Sequence, residues 1–267
     1  VRAHNQVYQT DRNRWKDLFA FLWIGYPRLF RESFLYVTVS FLLFAIPCAA
    51  SYFMVMENPK FAELEISQGN PLVHEEMWNM IEKNKMWTDD MEGKNSVQFA
   101  LIATNNIKVS IMAFAFGLTF GIGTIYVMIT NGLSIGTVFG VCQLHGMADK
   151  LATFVAGHGV IELTCIYIAG GAGLMMGKAM LFPGRYRRID SFKMQAKKAT
   201  GLCAGTIPLL LIAGCIEGFI SPRTDLDPMV KNTDSFCTFL FMIFYLLVPR
   251  GSNIDTREEP KPEFTKG

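Results

Sequence analysis

Six apolar runs alternate with charged segments along this chain of 267 residues, and this alternation constrains the fold more than any other feature. A run of about 20 apolar residues can cross the hydrocarbon core of a bilayer as a helix. Hydrophobic residues make up 51% of the chain and charged residues 18%, which is too apolar for an ordinary soluble domain. The predicted fold class is therefore all-α: a polytopic transmembrane helical bundle with about six membrane segments.

The membrane segments are bounded by polar or turn-forming residues. The apolar stretch 97–130 is too long for one crossing, so its crossing is expected from about Asn106, and Asn131–Gly132 is interpreted as a turn. The run 133–146 is short, about 21 Å as a helix, and is either a tilted crossing or a re-entrant segment. The six predicted segments are 33–56, 106–130, 133–146, 151–177, 201–220 and 236–248.

The first residues of the chain combine basic and aromatic side chains. Trp15, Phe19 and Trp23 recur four residues apart and would share one face of a helix. This pattern predicts an amphipathic helix at the membrane interface, broken near Pro27; a soluble linker is the alternative. The predicted divisions are a cytoplasmic or interfacial helix in 1–32, a transmembrane domain in 33–248 and a flexible cytoplasmic tail in 249–267.

The polar connection 57–96 is acidic, with nine Asp and Glu residues against four lysines. Within it, Val73, Met77, Met80 and Ile81 have helical spacing, which predicts a short amphipathic helix. Its apolar face is expected either to bind a partner or to pack back onto the bundle.

Charge in the connections predicts the orientation. The segment 178–200 has seven basic residues against Asp190 alone, and such loops stay in the cytoplasm. We therefore predict a multi-pass protein of the cell (inner or cytoplasmic) membrane with six crossings, both termini cytoplasmic and the 57–96 connection outside.

Several polar residues interrupt the apolar segments. His158 and Glu162 are four residues apart in the 151–177 segment, so a helix would bring them to one face. An ionisable residue inside a span is a candidate functional site whose partner should be sought. Lys108 is expected to pair with Glu162 or Glu217. The predicted cluster, in the outer half of the bundle, is Asn105, Asn106, Lys108, His158, Glu162 and Glu217.

This cluster has three interpretations. Its side chains could hydrogen-bond between helices and fix their packing. They could instead form a ligand, proton or ion site. Metal binding is the third, although His158 and Glu162 lack a clear third ligand. We predict no catalytic residues, no metal site and no cofactor.

Glycines spaced by four residues indicate close helix packing, either within one chain or between copies. Those assigned to this role are Gly132, Gly136, Gly140, Gly173, Gly177, Gly214 and Gly218.

A series of motifs resembles the SpoIIM (stage II sporulation protein M) family, from about residue 30 to 225. In chain order they are NNIKVSIMAFAFGLTFGIGT from Asn105, NG at 131–132, HGVIEL from His158, IAGGAGLMMG from Ile168, PG at 183–184 and IEGFISP from Ile216. The resemblance maps the family's HG-x-x-E motif onto His158, Gly159 and Glu162, its later glutamate onto Glu217 and its asparagine pair onto Asn105 and Asn106.

The resemblance implies a role in assembly. The sporulation member is a membrane anchor that recruits peptidoglycan-degrading proteins during engulfment. We therefore expect a scaffold without enzymatic activity that assembles with other membrane or envelope proteins; the alternative is a channel or transporter that uses the polar cluster. The expected partners are the lipid bilayer, those proteins and, as a further alternative, other copies of this chain, with no nucleic acid.

Overall fold

The structure, a computed structural model, describes residues 14–67, 70–73, 75–83, 95–219 and 228–250. Over these residues it is an all-α bundle, which confirms the predicted fold class. A small antiparallel hairpin pairs strand β1 (Glu65–Ser67) with β2 (Asn70–Pro71). The helices are α1 (Arg14–Ala20), α2 (Tyr26–Glu32), α3 (Phe34–Glu57), α4 (Glu75–Glu82), α5 (Asn95–Ala115), α6 (Ile122–Leu144), α7 (Ala148–Leu181), α8 (Arg188–Ala204), α9 (Thr206–Phe219) and α10 (Pro228–Leu247).

Four helical stretches among the described residues have the length and apolar composition needed to cross a membrane. They are Phe34–Glu57, Ile122–Leu144, Gly159–Leu181 and Arg188–Ile216, and Thr233–Leu247 is a shorter apolar helix. Four of the predicted segments correspond to α3, α7, α8–α9 and α10, whereas 106–130 covers the end of α5 and the first half of α6. The 178–200 connection is not simply a loop, because α8 begins at Arg188.

The predicted turn at Asn131–Gly132 is wrong, because α6 runs unbroken through both residues. Asn131 Nδ2 donates to the Val127 carbonyl, 2.7 Å away and one turn earlier in the same helix. The chain reverses before α6 instead, where Phe120 and Gly121 have positive φ angles of 57° and 82°. The predicted segment 133–146 is therefore mostly the second half of α6, neither a separate crossing nor a re-entrant segment.

A stripe of three glycines brings α6 into close contact with α3. A Cβ added to any of them would lie under 3.0 Å from an α3 atom, so α3 occupies the space of the missing side chains. The contacts are Gly132 with the Phe44 carbonyl, Gly136 with the Cys48 carbonyl and Gly140 with the Val55 side chain.

A second close approach joins α7 to the turn before α6. The two backbones contact each other at two pairs of glycines, Gly117–Gly173 and Gly121–Gly177. Gly214 differs, since a Cβ built on it meets nothing within 4 Å among the described residues. The surroundings of Gly218 lie outside the described part of the chain.

Helix α7 is the centre of the bundle. Its most apolar 18-residue window is 72% buried, against 22% for α3, and it packs against α3, α5, α6, α8, α9 and α10. The face of α7 in the largest core cluster repeats every three or four residues, as one buried helix face requires. Its members are Ile161, Cys165, Ile168, Ala172, Met175 and Met176.

The two ends of α3 define the two ends of the bundle. We call the end near Tyr36 and the 178–198 segment the basic end, since Lys178 lies against Tyr36 there. We call the opposite end, with residues 57–82, the acidic end.

The aromatic residues near the start of the chain form an exposed face at the basic end. Trp15, Phe19 and Trp23 are 68%, 69% and 55% exposed. The predicted break near Pro27 is instead a π-helical turn, Phe21–Gly25, that joins α1 to α2. Pro27 lies in the first turn of α2 and has no N–H to donate to a carbonyl of the turn before it.

The end of α10 is fastened to this N-terminal helical run. Tyr245 Oη donates to the Leu22 carbonyl at 2.6 Å. Arg250 donates to the Trp23 carbonyl at 2.9 Å, and its guanidinium lies 4.2 Å from the centre of the Trp23 ring. The described N- and C-terminal segments therefore meet at the same end of the bundle.

The amphipathic helix predicted in the acidic connection is α4, and its apolar face packs back onto the bundle. Ile81 is fully buried and Val73 almost so, in one cluster with Val55 of α3 and Val141 of α6. This is the second of the two alternatives for this helix. The face left exposed is polar and carries Glu75, Asn79 and Glu82.

We expect Ile81→Ala to weaken the packing of α4 against the bundle. Removing a fully buried isoleucine side chain costs about 2–4 kcal/mol, because it leaves a cavity as well as losing burial. Thermal unfolding and limited proteolysis of the 57–96 connection would measure the change. Asn79→Ala, on the exposed face of the same helix, is the matched control and should change neither; equal sensitivity of both variants would contradict the packing.

Candidate functional site

Glu162 is a buried ionisable residue of the predicted cluster. It is the fourth residue of the candidate span Gly159–Leu181, counted from the acidic end of the bundle. Only 3% of its surface is exposed. Asn106 of α5 donates from Nδ2 to Glu162 Oε2. The contact joins two helices whose pairing residues are 56 positions apart in sequence.

Apolar side chains continue from this pair along both helices. Val109 and Ala113 follow Asn106 at helical spacing, and Ile166 follows Glu162 by one turn; all three belong to one buried cluster. A buried carboxyl group costs free energy unless it is hydrogen-bonded, and an asparagine amide offers two N–H donors. The Asn106 amide therefore offsets part of the cost of placing Glu162 inside the bundle.

The helical phase of α5 explains why its other two candidate residues stay outside the pair. Successive residues of a helix are about 100° apart, so Asn105 and Lys108 point away from the face that carries Asn106. Both are exposed. Lys108 forms no ion pair with a described residue, and the expected Lys108–Glu162 pair is replaced by the contact from Asn106.

The remaining two candidate residues have defined backbones only. His158 belongs to α7, one turn before Glu162, and Glu217 belongs to α9. Their side chains lie outside the described part of the structure. Among the side chains that the structure does describe, no three His, Cys, Asp or Glu residues come together as metal ligands.

Sequence reasoning missed one buried polar residue on the same face of α5 as Asn106. Ser110 follows Asn106 by one turn of α5, is 2% exposed, and its hydroxyl has no hydrogen-bond partner among the described residues. The spacing of four from Asn106 is the signal that could have identified it.

Two cavities of the bundle lie away from the pair. One, of about 350 Å³, is at the basic end beside Lys178 and Arg185. The other, of about 460 Å³, lies beside Phe116 and Tyr126 at the start of α6. No residue of the predicted cluster lines either of them.

The apolar helices, the glycine contacts and the buried polar pair define an all-α integral membrane protein. The chain belongs to the SpoIIM family: the family model, described as stage II sporulation protein M, matches residues 40–222. The match includes α3 to α9 apart from the first residues of α3, and every residue of the predicted polar cluster falls within it.

The chain is also similar to an uncharacterized protein of Methanocaldococcus jannaschii. The two are 31% identical over 127 residues, which cover 47% of this chain and 71% of the relative. No solved structure matches the chain.

Proposed function

We propose that this protein is a non-enzymatic scaffold of the cell (inner) membrane that assembles with other membrane or envelope proteins. The observation that carries the proposal is the contact between Asn106 and Glu162. The buried Glu162 carboxylate accepts a hydrogen bond from Asn106 on another helix. This is the arrangement expected of a residue that holds α5 against α7. The glycine contacts of α6 and α7 favour the same interpretation, because they make close-packed helix interfaces.

The proposed topology has six crossings with both termini in the cytoplasm. Its support is the charge at the two ends of the bundle, since short connections rich in Lys and Arg remain cytoplasmic. The basic end would then face the cytoplasm and the acidic end the outside. The contact of Arg250 with Trp23 is consistent with both terminal segments lying on one side.

The exposed face of the acidic end of the bundle is the proposed docking surface. Because the apolar side of α4 is buried, a partner would meet polar and acidic side chains. Glu63 and Glu75 are exposed there. Such a surface favours a partner with a basic face, since complementary charge speeds association and excludes like-charged competitors.

Reversing the charge of this docking surface should therefore weaken partner binding. We expect Glu63→Lys together with Glu75→Lys to lower recovery of cross-linked partner proteins from native membranes by roughly tenfold or more. Lys193→Glu together with Lys197→Glu changes the net charge at the basic end by an equal amount of opposite sign and should leave recovery unchanged. Mass spectrometry of the captured proteins measures both; unchanged recovery in the acidic-end variant would refute this docking surface.

Transport is the second candidate, and the buried Ser110 hydroxyl, one helical turn from Asn106 and without a hydrogen-bond partner among the described residues, favours it. If the pair were a proton or cation site, vesicles containing the protein should show a flux above that of empty vesicles, and Glu162→Gln should abolish it. The scaffold role instead predicts no such flux for either protein.

A further inference from the structure

The cavity at the basic end lies between the last turn of α7, the turn that follows it and α8. Its volume is about 350 Å³. Met175 and Ala179 of α7 are buried and form its apolar floor, and Ser191 of α8 is a buried polar residue of its wall. Lys178 and Arg185 also line it, from α7 and from the turn.

The two cations at this cavity have no carboxylate partner among the described residues. Lys178 Nζ lies 5.4 Å from the centre of the Tyr36 ring, which places the ammonium over an aromatic face at the cavity wall. The segment 178–200 contains seven basic residues and one acidic residue, Asp190, so the residues around the cavity add to its positive charge. The cavity is therefore complementary to an anion.

Exposed apolar side chains surround the cations. Leu181 and Phe182 are 49% and 72% exposed at the end of α7, and Met194 of α8 is 44% exposed. α7 is a candidate membrane span that ends at Leu181, so this apolar surface lies at the level where the hydrocarbon core gives way to headgroups. A ligand that fits both parts has an anionic head and apolar chains.

We propose that this cavity binds the phosphate headgroup of an anionic phospholipid. Lys178 and Arg185 hold the phosphate, and the acyl chains lie along Leu181 and Phe182. Basic pockets between transmembrane helices suit such headgroups, and Arg and Lys both bind phosphate through charge-assisted hydrogen bonds. This lipid site is additional to the proposed scaffold role and does not depend on it.

Native mass spectrometry of the full-length chain in detergent tests the proposal, with phosphatidylglycerol and phosphatidylcholine as probes. We expect wild-type protein to retain phosphatidylglycerol preferentially. Lys178→Gln together with Arg185→Gln should weaken that retention by roughly tenfold or more, since each basic contact to an anionic lipid contributes on the order of fivefold. Lys193→Gln together with Lys197→Gln removes the same charge from α8 outside the cavity and should have little effect.

Three results would overturn the proposal. Equal retention of the two lipids by wild-type protein would remove the selectivity for an anion, and this test needs no variant to fold. Equal losses in the two double variants would mean diffuse attraction instead of a site. Displacement of the lipid by glycerol phosphate at equal concentration would mean that the cavity recognises the soluble phosphate and not the lipid.

Discussion

Replacing Gly136 with alanine should destabilise the bundle by about 2–4 kcal/mol, because overpacked cores are strained and backbone cannot yield as a flexible side chain does. The added Cβ would overlap the carbonyl oxygen of Cys48 and the hydroxyl of Ser51 on α3. That hydroxyl also donates to the Leu133 carbonyl at 3.0 Å, so the clash would disturb a hydrogen bond between α3 and α6. Thermal unfolding of the purified protein in one detergent would measure the loss.

Gly214→Ala provides the matched control, because no described residue lies within 4 Å of a Cβ built there. It also sits inside a helix, where alanine is favoured over glycine by about 1 kcal/mol. We expect this variant to be as stable as wild type or more stable. If the two alanine variants unfolded alike, the close contact between α6 and α3 would be refuted.

The glycine stripe illustrates what spacing alone can predict. Glycines at every fourth position indicated a close helix contact, and Gly132, Gly136 and Gly140 make one with α3. The same spacing did not separate them from Gly214, because the partner of a glycine depends on how the helices assemble. The spacing also did not show that Asn131 and Gly132 lie inside a helix. Helix α6 continues where a turn was expected, and the Asn131 side chain donates to a carbonyl of that helix.

The polar cluster was predictable in part. A carboxylate in an apolar segment requires a partner, and the residue that contacts Glu162 is Asn106 of α5, a member of the predicted cluster. Charge alone favoured Lys108, whereas the phase of α5 brings Asn106 to α7. This phase follows from the packing of Val109 and Ala113, which a single sequence does not reveal.

The acidic connection shows a different limit. Its helical spacing predicted an amphipathic helix, and α4 is one. The periodicity could not say what the apolar face meets, since a partner and the rest of the bundle present similar surfaces. Burial of Ile81 against α3 and α6 decides for the bundle.

Substitutions at the buried pair should separate a requirement for hydrogen bonding from a requirement for charge. Asn106→Leu removes a donor from the Glu162 carboxylate, and we expect a loss of stability of about 1–3 kcal/mol from an incompletely satisfied buried polar group. Glu162→Gln keeps an acceptor oxygen for Asn106 and should cost less than about 1 kcal/mol. Unfolding in the same detergent compares them. A larger loss in Glu162→Gln than in Asn106→Leu would mean that charge, and not the hydrogen bond, is what the bundle needs.

The double-mutant cycle of Asn106→Leu and Glu162→Leu tests the central claim, that this pair fastens α5 to α7, most directly. The free energy of unfolding of wild type, both single variants and the double variant gives their coupling. We predict a coupling of about 1–2 kcal/mol, with the double variant more stable than the sum of the single losses implies, because apolar replacement of both partners leaves neither unpaired. Additive losses, with a coupling near zero, would contradict the account and leave Glu162 available for a ligand or an ion.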